Sequence, residues 1–163
     1  AMCSRAFDLV EDVVYTGYDV FETMPQSFQD DAMNGKGMPT QAEAKARLMP
    51  LTNWRNGFSF NFIVGDTRDT LHGRHVKADF AFIDGDHRVE AIRGDYEALK
   101  DSPVIVFDDY YCQDANGITV DLTKFGANVV VDEIRAAGGN VEILPVADPC
   151  KHGGVIKLAV VRR

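Results

Sequence analysis

Two short apolar runs that each end abruptly in acidic residues constrain the fold of this chain more than any other feature. The first is Ala78-Asp-Phe-Ala-Phe-Ile-Asp-Gly-Asp-His87, and the second is Val104-Ile-Val-Phe-Asp-Asp-Tyr110. Such runs are typical of buried strands in an α/β sheet, and ligands of these sheets bind at the carboxyl ends of the strands. The pattern therefore predicts a functional site at the polar residues that end both runs, Asp84, Asp86, His87, Asp108 and Asp109.

Alternation of strand and helix patterns along the chain predicts an α/β fold. The predicted sheet is mostly parallel and closes with a C-terminal antiparallel hairpin. We expect strands at 13–18, 58–64, 79–83, 104–107, 141–146 and 155–161, and helices at 3–12, 41–49, 88–100 and 122–137.

Local signals fix several of these elements. Thr40 and Glu43 have the spacing of a capping box, and Asp66 is placed to cap a short helical turn at 67–71. The aromatic residues of the second strand, Phe58, Phe60 and Phe62, and Trp54 are expected to pack in a core or against a lid rather than to stack on bases. Residues 22–40 are polar and Gly-rich, which predicts a lid or insertion at the surface.

Composition limits the class of protein. A chain of 163 residues with 45% apolar content suits one domain, 1–163, and a net charge of -8 argues against binding nucleic acid or an anionic membrane. The three cysteines, Cys3, Cys112 and Cys150, are widely spaced, which favours reduced thiols. With no apolar run long enough to span a bilayer and no signal peptide, the sequence predicts a cytoplasmic protein.

Four predicted strands are followed by carboxylates, and a single aspartate of this kind is usually only a helix cap. Several at neighbouring strand ends repel one another unless a cation or sugar hydroxyls lie between them. We therefore expect a ligand at the cluster formed by Asp19, Asp66, Asp84, Asp108 and Asp109.

The second and third acidic ends offer hard oxygen ligands. Asp84, Asp108 and Asp109 can supply three such ligands to Mg²⁺, although one of them binding the metal while the others cap helices is an open alternative. His87 follows closely, so it is a candidate general base for a substrate hydroxyl whose acidity a metal raises. The other histidines, His72, His75 and His152, are expected at the surface.

Four segments together resemble class I S-adenosylmethionine-dependent methyltransferases, most closely the metal-dependent sugar and small-molecule O-methyltransferases with an Ile-Asp-Gly-x-His strand end. They are Tyr15-Thr-Gly-Tyr-Asp-Val-Phe-Glu22, Phe62-Ile-Val-Gly-Asp-Thr-Arg-Asp-Thr-Leu71, Phe82-Ile-Asp-Gly-Asp-His87 and Val104-Ile-Val-Phe-Asp-Asp-Tyr110. The resemblance covers nearly the whole chain from about residue 3 onward. It implies a Rossmann-like sheet and S-adenosylmethionine and Mg²⁺ (or another divalent cation) as cofactors.

The resemblance also implies roles for individual residues. Asp19 would hold the ribose hydroxyls of the cofactor, with Val20 and Phe21 beside the adenosine, while Asp66 and Thr67 would border the adenine. Asp84 would lie beside the cofactor and also bind Mg²⁺ together with Asp108 and Asp109, and His87 would be the general base.

The chain departs from this family at its start, because the first family strand and its Gly-x-Gly turn are absent. That strand lies in the family between the strands that end here at Asp19 and Asp84, so the sheet is expected to lack its first strand. Three explanations stay open: an N-terminally truncated chain, a homodimer in which two chains complete one another, or a sheet that closes the gap with a degenerate cofactor site.

The leading functional hypothesis is O-methylation of a small-molecule or sugar hydroxyl. The alternative is a catalytically impaired remnant that acts as a binding or oligomerising protein. A phosphoacceptor receiver domain also clusters acids around Mg²⁺, but it places its acidic pair after the first strand and a lysine after the last, which this sequence does not. The sequence does not identify the acceptor.

Overall fold

The computed structural model describes residues 12–23, 39–54, 57–113, 117–118, 120–149 and 154–163. The predicted helix at 3–12, most of the predicted lid, Cys3, Cys150, His152 and the side chain of Trp54 lie outside this description. The chain divides into two compact units, Ala1–Thr70 and Leu71–Arg163.

The first unit contains a two-stranded parallel sheet. β1 (Val13–Asp19) pairs with β2 (Phe58–Val64) in continuous register, with Asp19 opposite Val64. The rings of Phe60 and Phe62 lie 5.6 Å apart, and the ring of the buried Phe21 lies 5.1 Å from that of Phe62. The aromatic residues of β2 therefore pack against one another, as the sequence predicted, and Phe62 also packs against Phe21.

The described part of the first unit also contains two α-helices, and each begins at its predicted cap. α1 (Gln41–Trp54) has its capping box: the Thr40 N–H donates to Glu43 Oε2 at 2.7 Å, and the Glu43 N–H donates to Thr40 Oγ1 at 3.2 Å. The predicted end at residue 49 is wrong, because α1 continues through Pro50. α2 (Thr67–Thr70) is a single turn that follows Asp66, as expected.

The second unit contains a four-stranded sheet in the order β3 (Ala81–Ile83), β4 (Val104–Cys112), β6 (Val155–Arg162) and β5 (Asn140–Pro149). β3 and β4 are parallel, whereas β6 is antiparallel to both of its neighbours. The described chain is thus a mixed α/β structure with parallel and antiparallel strands, and the predicted C-terminal antiparallel pair is confirmed.

Two helices, α3 (Val89–Leu99) and α4 (Asn128–Ala136), share one apolar core with the four-stranded sheet. Ile105 and Phe107 are fully buried in this core, and they alternate along β4, so both helices cover the same face. The prediction that α4 begins at residue 122 is wrong. Residues 121–127 instead form turns, in which Gly126 has a φ of 86° and Phe125 pairs with Arg88 in an antiparallel bridge.

The end of β4 also differs from the prediction. The strand does not stop at Phe107 but continues to Cys112, because β6 is long enough to pair with Tyr110, Tyr111 and Cys112. The register is interrupted between Phe107 and Tyr110, where Asp109 has a φ of 54°. The Asp108-Asp109 pair therefore occupies an irregularity within the strand rather than its end.

β1 and β3 belong to different sheets, and within the described ranges no strand is hydrogen-bonded between them. The expectation of a sheet that lacks the family's first strand stays a prediction. None of the helices in the described part of the chain is both long enough and apolar enough to cross a membrane.

Candidate functional site

A tight turn follows β3 and carries three of the predicted site residues. Asp86 accepts a hydrogen bond from the Arg88 backbone N–H at 3.0 Å and forms an ion pair with the Arg88 guanidinium. An aspartate that bonds the backbone two residues later closes a local turn, so the chain reverses into α3 immediately after His87. Asp84, which directly follows β3, is exposed.

The neighbouring strand presents two carboxylates to this turn. The Asp109 N–H donates to Asp108 Oδ1 at 2.8 Å, which supports the left-handed backbone of Asp109. Aspartate tolerates this conformation better than most residues because its short polar side chain can bond locally. The Asp109 side chain is buried, whereas Asp108 is half-buried.

The two elements meet in a hydrogen bond between His87 Nδ1 and Asp109 Oδ2. The imidazole is 23% exposed and the carboxylate 11%, so solvent screens this pair only in part. A carboxylate that accepts the Nδ1 proton of a histidine selects the tautomer in which Nε2 is the basic nitrogen. The arrangement can therefore orient His87 and make its outer nitrogen a proton acceptor.

These residues line one small pocket of about 210 Å³, a volume that includes space open to solvent. Its polar lining consists of the residues that the sequence analysis selected, Asp84, Asp86, His87, Asp108 and Asp109, and its apolar lining comes from Ile83 and Ile92. The two acidic segments that were predicted to meet therefore line one pocket of the second unit, although the second segment lies within β4 rather than at its end.

The carboxylate oxygens of this pocket suit a hard cation such as Mg²⁺. Asp84, Asp108 and Asp109 all line this pocket, so their carboxylates form a donor set that is compatible with the metal. In the described residues no three His, Cys, Asp or Glu side chains already converge as a ligand set, and Asp109 Oδ2 contacts His87. Metal binding here stays a prediction.

The remaining predicted residues lie in the first unit, at the carboxyl ends of its two parallel strands. Asp19 Oδ1 accepts the Phe21 N–H at 2.8 Å, and the Asp19 carbonyl accepts the Gly65 N–H at 2.9 Å. Asp66 accepts the Arg68 N–H at 2.9 Å and pairs with its guanidinium. Asp19 and Asp66 thus lie at the same edge of this sheet.

The neighbours of these carboxylates differ in exposure. Phe21 is 2% exposed, because its left-handed backbone (φ 46°) turns its ring against the β2 aromatics. Val20 and Thr67 are half-buried. Cofactor binding by these residues, with Asp19 and Asp66, stays a prediction.

A second histidine–aspartate pair was missed by the sequence analysis. His72 Nε2 lies 2.9 Å from Asp95 Oδ1, and the Asp95 side chain is 7% exposed. The expectation that His72 is a surface residue is therefore wrong, whereas His75 is 75% exposed as predicted. The signal was present in α3, where Asp95 is spaced three or four residues from the buried Ala91, Ile92 and Ala98.

Comparison of the sequence with known protein families and with curated proteins gives no match. Among solved structures, the crystal structure of EvdMO1 is similar over 99% of this chain and 39% of its own length, with 15% sequence identity and a TM-score of 0.39. The chain thus spans about two fifths of that protein, and a similarity of this extent carries no argument about fold or activity.

Proposed function

We propose that this chain catalyses the S-adenosylmethionine-dependent methylation of a hydroxyl group on a small molecule or sugar, with Mg²⁺ as a second cofactor. The observation that carries the proposal is the His87–Asp109 pair in a pocket that Asp84 and Asp108 also line. An oriented base beside hard oxygen ligands is the combination that deprotonation of an alcohol at a metal requires.

When bound, S-adenosylmethionine supplies an electrophilic methyl group, and Mg²⁺ makes the acceptor hydroxyl more acidic. The residues proposed to hold the metal are Asp84, Asp108 and Asp109. Those proposed to bind S-adenosylmethionine are Asp19, Val20, Phe21, Asp66, Thr67 and Asp84. In the first unit, the shared sheet edge that carries Asp19 and Asp66 supports this assignment.

His87 is the residue proposed to move a proton. Asp109 Oδ2 accepts the Nδ1 proton, which leaves Nε2 to take the proton of the acceptor hydroxyl. The resulting imidazolium is stabilised by the adjacent carboxylate, because the buried pair is only partly screened by water. In this scheme Asp109 orients the base His87 and is also a ligand of the metal.

Calorimetric titration with S-adenosylmethionine and with S-adenosylhomocysteine, each with and without Mg²⁺, tests the proposal. We expect both molecules to bind. With S-adenosylmethionine we also expect Mg²⁺-dependent methyl transfer to at least one member of a panel of sugars, catechols and simple alcohols. His87→Gln should slow transfer by about 10²- to 10⁴-fold but keep cofactor binding, and His75→Gln, at an exposed histidine, should change neither. No binding of either molecule at millimolar concentration would overturn the proposal and favour a binding or oligomerising protein.

A further inference from the structure

A five-residue segment, Lys124–Asn128, connects the two halves of the candidate site. The Gly126 N–H donates to the His87 carbonyl at 2.8 Å, and the next amide, of Ala127, donates to the Asp109 carbonyl at 3.0 Å. We call these five residues the bridging segment. It binds the backbone of both members of the histidine–aspartate pair.

Asn128 anchors this segment to β4 through both ends of its side-chain amide. Its Oδ1 accepts the Tyr111 N–H at 2.9 Å, and its Nδ2 donates to the Tyr111 carbonyl at 2.9 Å. Asn128 is 9% exposed, so these two bonds are shielded from competing water. The pairing of β3 with β4 ends at Phe107. At Tyr111, Asn128 bonds both the backbone N–H and the carbonyl of β4, as the backbone of a neighbouring strand would.

The close approach of the segment depends on Gly126. A Cβ atom at this position would lie 2.7 Å from Cδ2 of Tyr111 and 3.0 Å from the carbonyl oxygen of Asp109. Its φ of 86° is also a conformation that favours glycine. The segment is thereby pressed against the irregularity of β4 that carries the carboxylate partner of His87.

His87 and Asp109 are 22 residues apart in the chain and belong to different elements. The geometry of a side-chain hydrogen bond between them therefore depends on how firmly their two backbones are held at a fixed distance. The bridging segment bonds both backbones, and Asn128 fixes it to the residue that lies two positions after Asp109. The geometry of the pair is therefore set from outside the pocket.

We propose that Asn128 is a positioning residue that holds Asp109 against His87 and so fixes the imidazole tautomer that the methyl-transfer reaction uses. The inference rests on the proposed function for its purpose, but its structural content is measurable without activity. Asn128 is not among the residues that line the pocket, and it acts only through the backbones of β4 and of the turn after β3.

The test is ¹⁵N NMR of the histidine side chains in the ligand-free full chain, at a pH where the imidazoles are neutral. The His87 signals are assigned by their loss in His87→Gln. In the unmodified chain we expect Nδ1 to carry the proton. In Asn128→Ala the ratio of the Nδ1–H to the Nε2–H tautomer should fall by at least about fivefold, because the hydrogen bond from Nδ1 to the Asp109 carboxylate is weakened.

The matched control is Val131→Ala, in the same helix. Val131 is fully buried and apolar, so its truncation loosens packing but removes no hydrogen bond to either backbone. The tautomer ratio should be unchanged in Val131→Ala. An unchanged ratio in folded Asn128→Ala, or an equal fall in both variants, would overturn the positioning role.

Hydrogen exchange of the unmodified chain decides the question if Asn128→Ala does not fold. The amides of Gly126, Ala127 and Tyr111 should be as protected as those in the centre of β4, whereas exchange at the rate of exposed turns would contradict the inference. Failure of the unmodified chain to transfer methyl groups would overturn the proposed function without changing the tautomer result. If transfer occurs, Asn128→Ala should lower kcat about tenfold with little change in KM.

Discussion

Two turns in this protein share one sequence pattern and the same aspartate–arginine hydrogen bonds, but only one of them contributes to a candidate catalytic pair. Gly65–Arg68 follows β2, and Gly85–Arg88 follows β3 with one residue between. In each, the aspartate accepts the arginine backbone N–H, at 2.9 Å in the first and 3.0 Å in the second, and pairs with the guanidinium. The local sequence therefore produces the same aspartate–arginine contact twice.

The difference between the turns comes from the strand beside each. β4 offers the buried carboxylate of Asp109 to His87, whereas β1 offers Asp19, whose carboxylate accepts the backbone N–H of Phe21. Gly-Asp-x-Arg is thus a structural motif that begins a helix, and its chemistry depends on the third residue and on what a neighbouring strand supplies. The following predictions test that comparison.

The largest effect is expected from the third residue of the second turn. His87→Gln should lower kcat of methyl transfer by about 10²- to 10⁴-fold, because a positioned base contributes a factor of that size. Steady-state kinetics against a reactive acceptor measures it, with His75→Gln as the control. A decrease of less than about tenfold lies below the usual contribution of a general base. It would mean that the second turn, like the first, has a structural role and no catalytic one.

Substitution of the glycine that begins each turn should destabilise the protein more in the first turn than in the second. Gly65 has a φ of 140°, and an added Cβ would lie 2.9 Å from Thr70 Cγ2, so Gly65→Ala should destabilise its unit by about 1–3 kcal/mol. In Gly85→Ala the nearest atom, Asp95 Oδ2, would lie at 3.7 Å, an ordinary contact. Its cost should be smaller, and urea unfolding of both variants by circular dichroism compares them.

The fluorescence of Trp54, the single tryptophan, reports on the first unit, in which it belongs to α1. Gly65→Ala should shift this transition, whereas Gly85→Ala should leave it in place. Equal costs for the two substitutions would show that the turns do not differ in backbone strain.

The ion pairs of the two turns should contribute small and unequal amounts. Asp66 is 31% exposed and Asp86 15%, so solvent screens the first pair with Arg68 more strongly than the second with Arg88. We expect Asp66→Asn to cost about 0.5 kcal/mol and Asp86→Asn about 1 kcal/mol. Urea unfolding at low and high salt measures both, and a larger cost for Asp66→Asn would contradict the comparison.

The smallest effect lies away from both turns, in the capping box of α1. The Thr40 backbone N–H donates to Glu43 and lowers the pKa of this carboxyl below its usual 4.5. The carboxylate therefore stabilises the folded state above pH 4.5, and this contribution is lost as the pH falls through the lowered pKa. Helical circular dichroism should show a small acid-dependent loss that Glu43→Gln removes, and a loss that persists in this variant would assign it to other groups.

Patterns of short range predicted much of the fold. The capping box of α1, the cap at Asp66, the exact bounds of β2 and the antiparallel pairing of β5 with β6 follow from residues that lie close together in the sequence. The lining of the candidate pocket was also predictable, because acidic residues that follow apolar runs in neighbouring strands come close together in a sheet.

The wrong predictions share a physical cause. Residues 122–127 were expected to be helical, but Gly126 adopts a left-handed turn and its segment bonds two other elements. His72 was expected at the surface, but α3 supplies Asp95 as its partner. In both cases a contact with a distant part of the chain outweighs the local preference of the residues.

The sequence by itself determined where turns, caps and strands form and which carboxylates gather at the edges of the sheets, because these depend on the periodicity and chemistry of neighbouring residues. Only the tertiary structure decided that Asp109 faces His87 from within a continuing strand and that Asn128 bonds that strand. Such hydrogen bonds join residues far apart in the chain, so their geometry depends on the packing of whole elements.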